Sequence, residues 1–185
     1  MIVRKIEVEE LPLSGAFLIR PLEFKDERGS FYKFYTDETL KAIGTNSMFP
    51  EEYLSVSKKN VIRGLHYQLG EKTQAKLVRC TAGRIFDVLV DLRKSSSTFS
   101  KWYGVELSAD KPLCLYIPRG FAHGYAALTD DAAILYKADN HYCPDSEGGL
   151  RWDDPELAIS WPVKKPLLSK KDAKWPAIKE AQLFD

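Results

Sequence analysis

The chain has 185 residues, a mass of 21.1 kDa and a formal net charge of +1, with 27 Lys and Arg against 26 Asp and Glu. That length suits one domain over residues 1–185, and a neutral total supplies no long-range field for nucleic acid or an anionic membrane, so an anionic ligand must be held by a local basic cluster. Apolar residues at 44% and aromatic residues at 12% are enough for a large core, which excludes a disordered chain.

The amino-terminal stretch MIVRKIEVEE has no apolar centre and no small-residue cleavage site, so no secretory leader is expected. Short runs rich in β-branched and aromatic residues follow, several of them alternating: 17–21 (FLIRP), 30–35 (SFYKFY), 60–68 (NVIRGLHYQ) and 76–80 (KLVRC). More occur at 85–92 (IFDVLVDL), 102–108 (WYGVELS), 113–118 (LCLYIP) and 133–138 (AILYKA). Turn signals separate them, among them Glu27-Arg28-Gly29, Ala82-Gly83 and Pro118-Arg119-Gly120. A short helix is predicted over 37–43, stopped by Gly44. A second is predicted over 170–182 with Ser169 as N-cap, and Pro176 inside it is a point where it would split or shorten. Residues 144–168 carry four prolines and read as an ordered loop wrapped over the sheet. Many strands with turns but no helices between them predict antiparallel sheets closed into a sandwich or barrel, and exclude a doubly wound α/β fold. Nowhere is there the run of roughly 20 apolar residues that a membrane helix requires. Three widely spaced cysteines, Cys80, Cys114 and Cys143, argue against a disulfide framework or a thiolate zinc site, so a reduced, cytoplasmic setting is expected.

Three histidines are few enough to weigh singly. His66 and His123 each follow an Arg-Gly pair, Arg63-Gly64 and Arg119-Gly120, whereas His141 has no such context. Glycine admits close backbone approach and arginine grips phosphate in a bidentate manner, so with Arg28, Lys76 and Arg79 these residues could build an anion pocket. Solvated arginines beside turns explain the same pattern, and residue chemistry leaves both readings open. With no His-x-His pair, a first-row metal site is not expected. Tyr136 alternates with Leu135, so one of the two faces outward or into a cavity, although core packing also accounts for a strand tyrosine. Asp172 stands in an S-x-x-D capping pattern with Ser169. Asp87 and Asp91, in an alternating strand, would need partners if buried.

Several long stretches carry a family resemblance: DERGSFYKFY, SKKNVIRGLHYQ, QAKLVRCTAGRIFDVLVDLRKSSSTFSKW, IPRGFAHGYAAL, LYKADNHYCPDSEGGLRWDDP and LSKKDA. On these, and over essentially its whole length, the chain resembles the dTDP-4-dehydrorhamnose 3,5-epimerase family. The resemblance implies an all-β double-stranded β-helix (a cupin or jelly roll) with short flanking helices, a homodimer, no metal and no organic cofactor. It implies epimerisation at C3, C5 or both of a nucleotide diphospho-4-keto-6-deoxy sugar, in deoxysugar supply for surface polysaccharide such as the O-antigen of lipopolysaccharide. It matches His66 to the base, Asp172 to the carboxylate that holds the imidazole, Tyr136 to the acid and Lys76 to the group that stabilises the enolate oxygen. Substrate- and nucleotide-binding positions fall on Arg28, Phe31, Lys33, Glu51, Tyr53, Arg63, Gln74, His123, Tyr142 and Glu147.

The chain departs from the family pattern where nucleotide recognition is expected. Lys33 replaces a common glutamate, and Glu51 and Tyr53 replace Gln and Asn of a Q-D-N-x-S-x-S segment. These departures leave a cytidine or guanosine diphospho-sugar, and a single inversion, as alternatives. A non-catalytic sugar-nucleotide binder is a more distant one.

Overall fold

The computed structural model describes residues 5–45 and 48–185; residues 1–4, where the stretch read for a leader begins, lie outside the described residues. Thirteen strands are present among them. They are β1 (Glu7–Glu10), β2 (Phe17–Arg20), β3 (Leu22–Asp26), β4 (Gly29–Lys33), β5 (Glu51–Ser57), β6 (Ile62–Gln68) and β7 (Lys76–Ala82). The rest are β8 (Arg84–Asp91), β9 (Trp102–Ser108), β10 (Cys114–Ile117), β11 (Phe121–Ala127), β12 (Ala132–Ala138) and β13 (Glu147–Gly149). They form a six-stranded sheet, ordered β1-β2-β10-β7-β12-β5, a five-stranded sheet, ordered β13-β6-β11-β8-β9, and a separate β3-β4 hairpin. All strand pairings are antiparallel, the arrangement of a jelly roll.

The alternation read from the sequence sets what lies between the sheets. Leu18, Val78, Leu115, Ile117 and Ile134 of one sheet pack against Ile85, Leu89, Leu107, Phe121 and Tyr125 of the other. Pleating turns the intervening residues outward, and the outer faces are covered too. Leu65, Tyr67, Val88 and Val90 lie beneath Leu150, Leu157 and Ile178 of the carboxy-terminal segment. Ile19, Leu77, Cys114 and Tyr116 lie beneath Leu40 and Ile43, at and just after the helix α1 (Asp37–Ala42). That helix begins in a capping box, in which the Thr36 side chain accepts the Thr39 N–H and the Thr39 hydroxyl receives the Thr36 N–H.

The helix expected over 170–182 does not form: a 3-10 turn spans Asp172–Lys174, and the chain is extended at Trp175. Pro176 offers no N–H to a continuing ladder and disfavours helical geometry in the residue before it. The cap survives the correction, because Ser169 Oγ accepts the Asp172 N–H at 3.0 Å. His123 lies inside β11, a strand absent from the runs read in the sequence. The three cysteines are free.

Candidate active site

His66 on β6 and His123 on β11 sit opposite one another in register. A strict two-residue period would put Arg63 and His66 on opposite faces of β6, yet both line the same interior cleft. The register slips between the His123–His66 and Tyr125–Arg63 pairs, and Gly64 between them has φ +128°. Only glycine suits that position: its backbone region excludes L side chains, and a Cβ would stand 2.6 Å from Gly124 Cα. The irregularity therefore points both side chains inward.

The cleft has two adjoining parts of about 390 and 230 Å³ that share Tyr53, His66 and Lys76. Gln74, Glu51, Tyr142 and Glu147 line the larger part, and Arg63, His123 and Tyr136 the smaller. His66 Nε2 lies 2.6 Å from Asp172 Oδ1; the carboxylate side chain is 5% exposed and the imidazole 29%. Burial alone would raise the Asp172 pKa, but the bonding and charge of His66, with Ser169 and Trp175 nearby, bring it below the ordinary value. From the facing sheet comes Tyr136, a buried phenol whose ionisation is pushed well above 10 by burial and by Tyr125, Asp87 and Tyr53, against Arg63. Its proton is therefore held at any ordinary pH. Burial brings the Lys76 ammonium down to about 8, opposed by the charges of Asp87 and Glu147.

Supporting contacts fix these groups. Asp87, fully buried on β8, holds His123 Nε2 at 2.9 and 3.0 Å, and the His123 ring meets Tyr136 edge-on at 5.8 Å. The Arg63 Nε–H donates to Ser57 Oγ at 2.9 Å, and Ser55 and Ser57 both bond the Tyr125 hydroxyl. Tyr53 stacks on Tyr136 with ring centres 4.7 Å apart and planes 14° from parallel. Glu51 accepts the Tyr142 N–H at 3.1 Å and lies 3.2 Å from His141 Nδ1. The Gln74 amide donates to the Asn140 carbonyl, and Glu147 takes both the Tyr142 hydroxyl and the Lys171 ammonium.

Eleven of the fourteen expected site residues thus gather at the cleft, ten lining it and Asp172 just behind His66. The other three, Arg28, Phe31 and Lys33, line neither part: they occupy the exposed β3-β4 hairpin, with the Arg28 guanidinium turned onto Asp26 at 2.6 Å. Arg119 is also outside, paired with Asp139. Asp87 was flagged in the sequence only as a carboxylate in need of a partner, and its inward position in β8 was the available signal. Trp175, whose ring meets His66 edge-on at 6.1 Å, was missed, since nothing in its local pattern marks it. Among the described residues, no three His, Cys, Asp or Glu side chains converge to hold a metal ion, and no helix is long and apolar enough to cross a membrane.

A jelly roll that sets a carboxylate-held imidazole on one sheet against a buried phenol on the other places the chain among the cupin-fold enzymes. Residues 10–180 match the family model described as dTDP-4-dehydrorhamnose 3,5-epimerase. The chain is 46% identical over 187 residues to the dTDP-4-dehydrorhamnose 3,5-epimerase of Salmonella typhimurium, covering 100% of both. It superposes with a TM-score of 0.92 and 44% identity on the enzyme of that name from Elizabethkingia anophelis, covering 95% of this chain and 98% of that one. With the Legionella pneumophila dTDP-6-deoxy-D-glucose-3,5-epimerase, solved in complex with dTDP-4-keto-L-rhamnose, the TM-score is 0.90 at 39% identity, over 95% and 94% of the two chains. The chain belongs to the dTDP-4-dehydrorhamnose 3,5-epimerase family and is an isomerase.

Proposed function

We propose that the protein epimerises a dTDP-4-keto-6-deoxy sugar at C3 and C5. The observation that carries this reading is the meeting of His66–Asp172 and Tyr136, from facing sheets, in one cleft that also holds the Lys76 ammonium. The C4 ketone acidifies the neighbouring C–H bonds. With Nε2 bound to Asp172, His66 Nδ1 takes the proton from carbon, and the C–H pair moves through the carbon skeleton onto the C4 oxygen. The Lys76 ammonium stabilises that enolate oxygen. The pair then returns to carbon and forms a new C–H bond with the Tyr136 phenol proton on the opposite face. Solvent returns a proton to the phenolate and removes one from the imidazolium.

Proton NMR of the keto sugar in D2O tests this: deuterium is expected at C3 and C5 with the native protein and at neither with H66A. Exchange that persists in H66A overturns the assignment. The names of the relatives favour thymidine diphosphate, and Glu51 and Tyr53 have partners within the protein that account for them without a different base. Calorimetry is expected to rank thymidine diphosphate above the cytidine and guanosine diphosphates; the reverse order refutes that choice.

The reading extends to a cytoplasmic homodimer supplying deoxysugar for surface polysaccharide such as lipopolysaccharide O-antigen. The exposed hairpin, with Phe31 61% accessible, supports a partner subunit that receives Arg28, Phe31 and Lys33. A monomeric mass in light scattering would overturn the dimer.

A further inference from the structure

Gly149 on β13 pairs with His66 across the ladder. A Cβ there would stand 2.3 Å from two atoms of the Trp175 indole, so the ring occupies the space that a side chain at 149 would fill. This brings the indole alongside the catalytic pair: it meets the imidazole edge-on, and it follows Asp172 by three residues across the turn that Pro176 ends. The Trp175 N–H is buried and, among the described residues, is the side-chain polar atom left without a hydrogen-bond partner. Such orphans are uncommon and call for a reason. The Asp172 carboxylate is a candidate acceptor, since Trp175 is among the groups that hold its pKa down. His66 engages its Oδ1, a carboxylate retains further lone pairs, and the indole lies close enough to favour the ionised acid without completing a bond.

We propose that Trp175 is a positioning residue for the proton-transfer step, seated by the absence of a side chain at Gly149 and directing its N–H toward Asp172 so that the carboxylate stays in line with His66. This rests on the assignment of His66 as base in the proposed function. In the resting pair, neutral imidazole donates one hydrogen to the carboxylate. Once His66 carries a proton from the sugar, a carboxylate steadied on its other side holds the cation in line. The indole then acts through Asp172 and touches no reacting atom. The edge contact of the ring limits imidazole rotation, and the N–H steadies the carboxylate that orients Nε2.

W175F separates these contributions, because phenylalanine keeps a ring over Gly149 and removes the N–H. kcat is expected to fall about tenfold, with KM, thymidine diphosphate affinity and melting temperature essentially unchanged. A purely structural tryptophan would instead lower the melting temperature or raise KM. A native-protein measurement keeps the idea testable even if W175F fails to fold. Of the four tryptophan indole N–H resonances of the native protein, one is expected downfield of its position in D172N, where the charged acceptor is gone. H66A distinguishes the two readings. If H66A abolishes deuterium exchange while W175F keeps full kcat, Trp175 is not a positioning residue and the epimerase mechanism stands. If H66A still exchanges, the mechanism itself falls. Indole resonances that are identical in D172N and the native protein at every pH also overturn the proposal.

Discussion

D172N removes one negative charge from behind the imidazole and leaves the shape of the side chain almost unaltered. The backbone N–H that Ser169 Oγ accepts is untouched, so the turn should persist. At the 2.6 Å contact the carboxylate and imidazolium charge centres are about 4 Å apart, and at an effective dielectric near 20 their attraction is about 4 kcal/mol. The carboxamide dipole recovers part of this, leaving a loss of about 3–4 kcal/mol, or roughly 10²–10³ in the rate of forming the imidazolium. The amide also presents either a donor or an acceptor to Nε2 and no longer enforces one tautomer. Deuterium incorporation at C3 and C5, followed by NMR under single-turnover conditions, reads the proton-abstraction step directly. A D172N rate within fivefold of the native rate, with an unchanged melting temperature, would refute the claim that Asp172 stabilises the imidazolium.

The Lys76 ammonium is charged below about 8, so kcat should fall as pH rises through that value, and D87N, which removes a charge that raises the Lys76 pKa, should shift the alkaline limb to lower pH. A limb unmoved by D87N would disconnect Lys76 from it. Y136F should retain deuterium wash-out at carbon by His66 while losing inversion by at least 100-fold, since general acid catalysis is typically worth 10²–10⁴-fold; NMR of product configuration separates the two. Asp91 is fully buried, and although burial raises its pKa, bonds from Arg93, Ser96 and Thr98 bring it below the usual carboxylate value. A lowered folded-state pKa contributes stability that is complete above the unfolded value near 4 and is lost as pH falls through the folded value. D91N should therefore cost about 2 kcal/mol at neutral pH, roughly 4–8 °C in Tm, and that difference should shrink in acid.

The strands that were legible in the sequence are those where one face differs from the other or where β-branched residues cluster, such as β8, β9 and β12. β11 was illegible because all seven of its residues, Phe121 to Ala127, are buried, which erases the alternation. β1 is four exposed, mostly acidic residues that pair with β2. β5 reads weakly because Leu54 and Val56 lie on an exposed outer face while Ser55 and Ser57 turn inward to Tyr125. The site was legible where residue chemistry and family motifs coincide, as at His66, Lys76, Tyr136 and Asp172. It was not legible where a side chain acts through packing across the fold. Trp175 depends on the empty Gly149, and the joint inward aim of Arg63 and His66 depends on a register slip that local periodicity cannot express. Both are relations between distant segments.

The His66–Asp172 contact joins residues 106 positions apart in the chain. All thirteen described strands precede Asp172 in the chain, so the sheets can pair before His66 meets its carboxylate. The segment beyond Asp172 is held to the strands as well, by Tyr67 donating to the Gln182 carbonyl and Lys94 meeting Asp185. A chain clipped before Asp172 would keep the strand-borne residues of the cleft and lose the carboxylate partner of His66.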